Sequence, residues 1–276
     1  MRLNILTDNN TFIDRYYLAE PGLSILIEDG PQKILFDCGF SDVFWHNANI
    51  MGHNLLFLDY LVFSHGHLDH TWGVEKLMRE HTIAGLENIK HKKPEVVAHP
   101  DALKGVGFPP GINIGPLIGP DEMAAYYKMN LSREPVQITE RLVFLGQIPR
   151  NNDFEGHVAI GTKIGKSEPD LLPDDTALAY KDERGLIIIT GCSHSGICNI
   201  VEHARRVCGQ ENILSIIGGL HLQAPEKKVL EKTCEFISGL NLQTLYAGHC
   251  TDLDSKIALA QKSPLREMGS GLVLEF

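Results

Sequence analysis

The chain has 276 residues, with 25 Lys and Arg against 35 Asp and Glu, for a formal charge of −10. Hydrophobic residues make up 43% and charged residues 22%, which excludes an intrinsically disordered chain. The acidic balance argues against a general binder of nucleic-acid backbones, which needs clustered Lys and Arg.

The opening MRLNILTDNN has no apolar core of the kind a secretory signal needs. No uninterrupted apolar run approaches the roughly 20 residues of a membrane helix. The six cysteines, Cys38, Cys192, Cys198, Cys208, Cys234 and Cys250, lack a disulfide-framework spacing. They read as reduced thiols of a cytoplasmic protein.

In chain order, Leu3 to Thr7, Leu23 to Glu28 and Lys33 to Phe36 are predicted strands, bounded by the turn signals Pro21-Gly22 and Asp29-Gly30-Pro31. A helix is expected from Ser41 to Asn49, with Ser41 as N-cap. Tyr60 to Phe63 reads as a buried strand and Trp72 to Glu80 as a helix, with Val74, Leu77 and Met78 at helical spacing. Glu95 to Ala98 is another strand. Residues 104–120, rich in Gly and Pro, read as a long irregular insertion loop of the kind that often serves as a lid.

Strands are expected again at Val136 to Thr139, Arg141 to Leu145, Thr176 to Tyr180 and Leu186 to Thr190. Ile197, Ile200, Val201, Ala204, Val207 and Cys208 form the apolar stripe of a helix. Strand Ile213 to Ile217, helix Glu226 to Ser238, strand Thr244 to Ala247 and strand Leu272 to Phe276 complete the reading. The whole of 1–276 is expected to form a single α+β domain of two sheets packed together with helices outside.

The chemistry concentrates in Phe63-Ser-His-Gly-His-Leu-Asp-His-Thr-Trp-Gly73. His65 and His67 are two apart after a strand, so in extended geometry both imidazoles point to one side and reach one metal. Asp69 and His70 follow as the chain turns into a helix and can reach a second. Imidazole with carboxylate suits zinc, iron or manganese.

This segment resembles the H-x-H-x-D-H signature of the metallo-β-lactamase superfamily. Phe36-Asp37-Cys38-Gly39 is similar to the family's upstream acidic motif. Thr190-Gly-Cys-Ser-His-Ser-Gly-Ile197, Gly218-Gly-Leu-His-Leu222, Gly248-His-Cys-Thr251, Ile148-Pro-Arg150 and Phe154-Glu155 resemble the branch named for 7,8-dihydropterin-6-methyl-4-(β-D-ribofuranosyl)aminobenzene-5′-phosphate synthase.

The resemblance implies a four-layer αββα sandwich of two mixed sheets and one or two divalent metals, zinc first, with manganese or iron as alternatives. It implies His65, His67, Asp69, His70, His194 and His249 as ligands, with His221 and Cys192 as rivals, and Asp37 as the residue that orients a ligand. The family's bridging acid is replaced by Gly191-Cys192, so either Cys192 or His194 takes that place. The family's usual third histidine is replaced by Asp174-Asp175-Thr176, with His157 as a substitute.

Asp69 is the expected catalytic residue, and Arg150 and the loop around Phe108 to Ile118 are the expected substrate contacts. His46, His53, His81, His91, His99 and His203 carry no matching motif and read as structural. The expected function is hydrolysis of an ester, phosphoester, lactone or pterin-linked phosphate. The alternatives are a mononuclear iron redox enzyme and a non-catalytic metal-bearing sensor. The expected partner is a small-molecule substrate, with neither nucleic acid nor membrane.

Overall fold

Strand runs buried on both faces, separated by amphipathic helices, generate a mixed α+β chain. The computed structural model describes residues 1–109, 111–163 and 168–276. In chain order the elements begin with β1 (Arg2–Thr7), β2 (Ser24–Asp29), β3 (Gln32–Phe36), α1 (Val43–Ile50), β4 (Tyr60–Val62), α2 (Leu68–Thr71), α3 (Val74–Leu86) and β5 (Glu95–Ala98). Next come β6 (Val106–Phe108), β7 (Ile112–Asn113), α4 (Pro120–Tyr126), β8 (Lys128–Leu131), β9 (Val136–Gln137), β10 (Leu142–Phe144) and β11 (Thr162–Lys163). Then follow β12 (Ala177–Asp182), β13 (Gly185–Thr190), α5 (Ile197–Cys208), β14 (Ile213–Gly219), α6 (Lys227–Gly239), β15 (Thr244–Gly248), α7 (Leu253–Ala260), β16 (Leu265–Arg266) and β17 (Val273–Glu275).

These elements form two compact units. The first comprises Met1–Ser132, Gly161–Pro169 and Gly269–Phe276; the second comprises Arg133–Ile160 and Asp170–Met268.

The first unit is built on a seven-stranded sheet of order β17-β1-β2-β3-β4-β5-β8. Pairing is antiparallel from β17 to β3 and parallel from β3 to β8. Leu35, Leu61, Phe63 and Val96 pack there with Phe44 of α1, Leu77 of α3 and Met123 of α4. Because β3 and β4 are parallel neighbours, Asp37 and Ser64, just past their C-terminal ends, lie side by side.

The second unit has the order β16-β15-β14-β13-β12-β10-β9, with β13 to β16 parallel. Every residue of β13 and β14 is buried, as a parallel strand covered on both faces requires. Ile197, Ile200, Val201 and Ala204 of α5 seal one face, and Gly209 closes that helix in the left-handed conformation.

The structure departs from the expected elements at several places. Residues 104–120 are not an irregular loop throughout: β6 and β7 pair as a hairpin, and β11 adds to it as a third strand. The helix expected from Trp72 to Glu80 starts two residues later and runs further, from Val74 to Leu86, after Gly73 packs against the backbone of Cys38 and Ser41. Asp42, not Ser41, is the N-cap of α1, although Ser41 Oγ still accepts the Val43 N–H. Among the described residues no helix is long and apolar enough to cross a membrane.

His81, on the inner face of α3, is buried and 2.9 Å from the Tyr127 hydroxyl. Burial, aided by His91 and Lys93, lowers its imidazole to about 4, against about 6.5 in an unfolded chain. The folded state therefore binds fewer protons between those values. Stability present above pH 6.5 is lost as the pH falls towards 4, by about 3 kcal/mol in all. Urea unfolding of His81→Gln is expected to show a flatter decline over this window. A decline as steep as that of the parent chain would assign the acid sensitivity to other groups.

Candidate metal centre

In the first unit, β4 delivers Ser64, His65 and His67 to the end of the sheet, and α2 carries Asp69 and His70. His65 and His70 are fully buried, His67 nearly so, and the Asp69 side chain is about a quarter exposed. Asp37, at the end of β3, is the anchor of the network. Its Oδ1 accepts the Ser64 N–H at 2.8 Å, and its Oδ2 accepts the Ser64 hydroxyl at 2.6 Å. His70 Nδ1 lies 2.7 Å from the same Oδ2.

An ionised carboxylate only accepts hydrogen bonds, so His70 Nδ1 carries the proton. The single Ser64 proton is committed to Asp37, so at 2.9 Å from His65 Nδ1 the Ser64 oxygen accepts. His65 Nδ1 is therefore protonated as well. Both rings then keep unprotonated ε-nitrogens, the tautomer that a metal ligand needs.

The ligand geometry follows from this arrangement. His65 Nε2 and His67 Nδ1 face each other at 3.2 Å. Two nitrogens each about 2.0–2.1 Å from a tetrahedral ion would be about 3.3 Å apart. His70 Nε2 lies 3.8 Å from Asp69 Oδ2. The donor set of the first unit thus fits a divalent ion in chemistry, tautomer and spacing.

In the second unit, three adjacent parallel strands end in donor residues. Cys192 and His194 follow β13, His221 follows β14, and His249 and Cys250 follow β15. Ser193, His221 and His249 all have positive φ, at 63°, 49° and 48°. Such sparsely populated backbone is concentrated at functional strand ends. Cys192 Sγ is 3.1 Å from His249 Nε2, and the His194 and His221 rings are 4.2 Å apart.

Cys250 Sγ accepts the His221 N–H at 3.2 Å and reaches the Cys192 carbonyl at 3.5 Å. Burial alone would raise the Cys250 thiol. Its contact with Cys192 and the nearby His249 and His221 outweigh burial and hold it well below the ordinary thiol value.

Two supports of this loop, Asp175 and Glu155, fall within segments that the sequence marked without revealing their partners. Asp175 Oδ2 accepts both the N–H and the hydroxyl of Ser195, at 2.8 and 2.5 Å, fixing the residue after His194. Burial raises the Asp175 carboxyl, against those hydrogen bonds. Glu155 accepts the Cys198 and Asn199 N–H groups at the start of α5, and Asn199 accepts the N–H groups of Asn151 and Asn152. This clamp brings 151–158 against the His194 loop. A cavity of about 450 Å³ results, lined by Phe154, His157, Val158, His194, His221 and Val229 among others.

Arg150 donates to the carbonyls of Leu171 and Leu172, so its guanidinium braces backbone in the second unit. His157 Nε2 contacts the Asn152 carbonyl at 2.8 Å from an exposed position. His203 contacts the Leu145 carbonyl and His91 that of Ile89, while His99 accepts the Asp101 N–H.

The model of the metallo-β-lactamase superfamily matches residues 18–207, and the chain belongs to that superfamily, whose members hold divalent metals. The expected α+β class with two mixed sheets and helices is thereby established.

Two similar proteins come from Methanocaldococcus jannaschii. One, an uncharacterized protein, is 29% identical over 266 residues, covering 94% of each chain. The other is 7,8-dihydropterin-6-methyl-4-(β-D-ribofuranosyl)-aminobenzene-5′-phosphate synthase, 28% identical over 278 residues, covering 94% of this chain and 91% of that one. Among solved structures, Tm1679, a metal-dependent hydrolase of the β-lactamase superfamily, is similar with a TM-score of 0.82 at 26% identity. The match covers 100% of this chain and 99% of that one.

Proposed function

We propose that the protein is a metal-dependent hydrolase. The observation that carries this reading is the facing pair His65 Nε2 and His67 Nδ1 at 3.2 Å, with both the His65 and His70 tautomers set through Ser64 and Asp37. The first unit offers His65, His67, Asp69 and His70 as metal donors. The second offers His194 and His249, with Cys192 and His221 as further donors. Zinc suits imidazole, carboxylate and thiol together; manganese and iron are the alternatives. A bound divalent ion supplies Lewis acidity and lowers the pKa of water.

The chain's own groups do the rest. Asp69, partly exposed beside His70, accepts a proton from the attacking water and passes one towards the leaving group. In the second unit His221 lines the cavity and, where it is not a metal donor, offers its imidazole to negative charge on a ligand bound there. The clamp of Asn152, Glu155 and Asn199 fixes the cavity wall. The lining mixes apolar Phe154, Leu222, Pro225 and Val229 with the carboxylates Asp153, Glu155 and Glu226. This lining supports a small organic substrate whose body is not strongly anionic. An ester, a lactone, a phosphoester or a pterin-linked phosphate provides the reacting bond. The synthase from M. jannaschii favours the last of these as the first compound to assay.

The test is elemental analysis of the untagged protein beside an Asp69→Ala, His70→Ala double variant. About two zinc or manganese ions are expected per chain, falling to about one in the variant. Turnover of the ester, lactone and phosphoester panel is expected to drop by about 10²–10⁴-fold. A single iron that survives the substitutions would replace this reading with redox chemistry. No metal after reconstitution would remove the hydrolytic mechanism.

A further inference from the structure

A second cavity lies in the first unit, at the end of the sheet opposite Asp37 and Ser64. There β4, β5 and β8 begin at Tyr60, Glu95 and Lys128. Tyr60 is the register partner of Glu95, and Glu95 that of Lys128, on adjacent parallel strands. The three side chains therefore project to one face in a row. The cavity measures about 480 Å³, the size of a small-molecule site, and Gln32, Tyr60, Lys92, Lys93, Tyr126 and Lys128 line it. Lys90, Lys92 and Lys93 bring this cationic character to a chain whose net charge is −10.

The walls are held by backbone. The Lys92 N–H donates to the Leu56 carbonyl at 2.8 Å, and the Glu95 N–H to the Asp59 carbonyl at 3.0 Å. The Asp59 N–H donates in turn to the Lys33 carbonyl at 2.8 Å. Asp59 pairs with Lys92, and Glu95 with Lys128 at 2.7 Å. Each carboxylate thus anchors one ammonium group at the cavity. Lys93 Nζ instead lies over the ring of Tyr126, 5.6 Å from its centre.

These groups select the ligand's chemistry. A singly charged anion only competes with Asp59 and Glu95 for lysines that they already hold. A phosphate brings nearly two charges and three strong acceptor oxygens, enough to engage Lys93 while sharing Lys92 and Lys128. Tyr60 and Tyr126 add aromatic surface, on which a planar base stacks. Gln32 adds an amide that both donates to and accepts from a base edge. We propose that this cavity binds a nucleoside phosphate, its base against the tyrosines and its phosphates at the three lysines. The site is independent of the metal donors.

The experiment is isothermal titration calorimetry of ADP into the full-length protein in magnesium-free buffer, beside adenosine and pyrophosphate as its two halves. ADP is expected to bind at about one site per chain, more tightly than either half. Lys93→Glu is expected to weaken ADP by about 10–100-fold, and Lys93→Gln by less. Tyr126→Ala is expected to weaken ADP and adenosine by about 10–100-fold and to spare pyrophosphate. Arg79→Glu, an equal charge reversal at an exposed position of α3, is expected to leave ADP binding unchanged. The Asp69→Ala, His70→Ala variant is expected to keep it as well. Far-ultraviolet circular dichroism of each variant shows that it is folded.

Pyrophosphate bound as tightly as ADP, with Tyr126→Ala silent, would overturn the nucleoside reading and leave a bare polyanion site. Adenosine bound as tightly as ADP, with Lys93→Glu silent, would overturn the role of the lysines. An equal loss in Arg79→Glu would reduce the effect to the general field of the chain. Binding abolished in the Asp69→Ala, His70→Ala variant would place ADP at the metal donors, and no binding of ADP to the parent chain would overturn the proposal outright.

Discussion

Replacing Asp37 with Asn is expected to weaken metal binding by about 10–100-fold while leaving the backbone in place. Asp37 is fully buried with φ near 59°, a conformation that Asn tolerates as readily as Asp. Its carboxylate receives three donors: the Ser64 N–H, the Ser64 hydroxyl and His70 Nδ1. An amide has one oxygen. If that oxygen stays with the Ser64 N–H, the new NH₂ faces the Ser64 hydroxyl and His70 Nδ1.

The hydroxyl can turn and accept, but the imidazole must shift its proton to Nε2, where a lone pair was needed. His65 is affected next, because its own tautomer depends on where the Ser64 proton points. Two proposed ligands are thus mis-set by exchanging one oxygen for an NH₂ group. Competition with a chromophoric chelator gives the affinity, and nitrogen-15 imidazole shifts report the tautomer. Unchanged affinity in a variant that folds normally would refute this role. The stability of the metal-free chain is expected to fall by only about 1–3 kcal/mol, the penalty of a mismatched buried polar pair.

How much of this was legible beforehand depends on how local the signal is. His65, His67, Asp69 and His70 lie within six positions after an apolar strand, so spacing alone placed their donors together. Asp37 was recognised through its motif, but its hold on both rings runs through Ser64, a residue with no pattern of its own. The pairings of Asp175 with Ser195 and Glu155 with Asn199 span 20 and 44 residues, and no periodicity reveals a contact at that range. Arg150 drew attention as a cation, yet its partners are the carbonyls of Leu171 and Leu172, which carry no side-chain signature.

Two overlooked helices did carry signals. Asp252 caps α7 by accepting the Ser255 N–H at 2.7 Å, and Pro120 followed by Asp121 and Glu122 opens α4. Both are short, and the weakly apolar sequence of β8 offered no contrast to mark off α4. The hairpin of β6 and β7 hid within a composition that otherwise marks irregular loops.

The second large effect concerns glycine in α3 and at its start. At Gly73 a Cβ would lie 2.0 Å from the Cys38 carbonyl oxygen and 2.7 Å from that of Ser41. Both obstacles are backbone and cannot rotate aside. The Gly73 N–H also donates to the Gly39 carbonyl, and the Cys38 N–H to that of His70. The α2–α3 joint and the 38–41 segment are therefore laced together directly beside Asp37.

Gly73→Ala is expected to cost about 3 kcal/mol or more, the upper end of overpacking penalties. It is also expected to weaken metal binding in the folded fraction by displacing the Asp37 carboxylate from Ser64 and His70. Gly85, in the same helix, is the internal control: the nearest atom to its Cβ position is His91 Cε1 at 3.8 Å. Gly85→Ala is expected to stabilise the chain by about 0.5–1 kcal/mol through helix propensity. Opposite shifts in the thermal midpoints of the two metal-free variants, with metal affinity lowered in the first alone, are the expected result. A Gly73→Ala chain that melts with the parent would show that the joint has room and that Asp37 is held some other way.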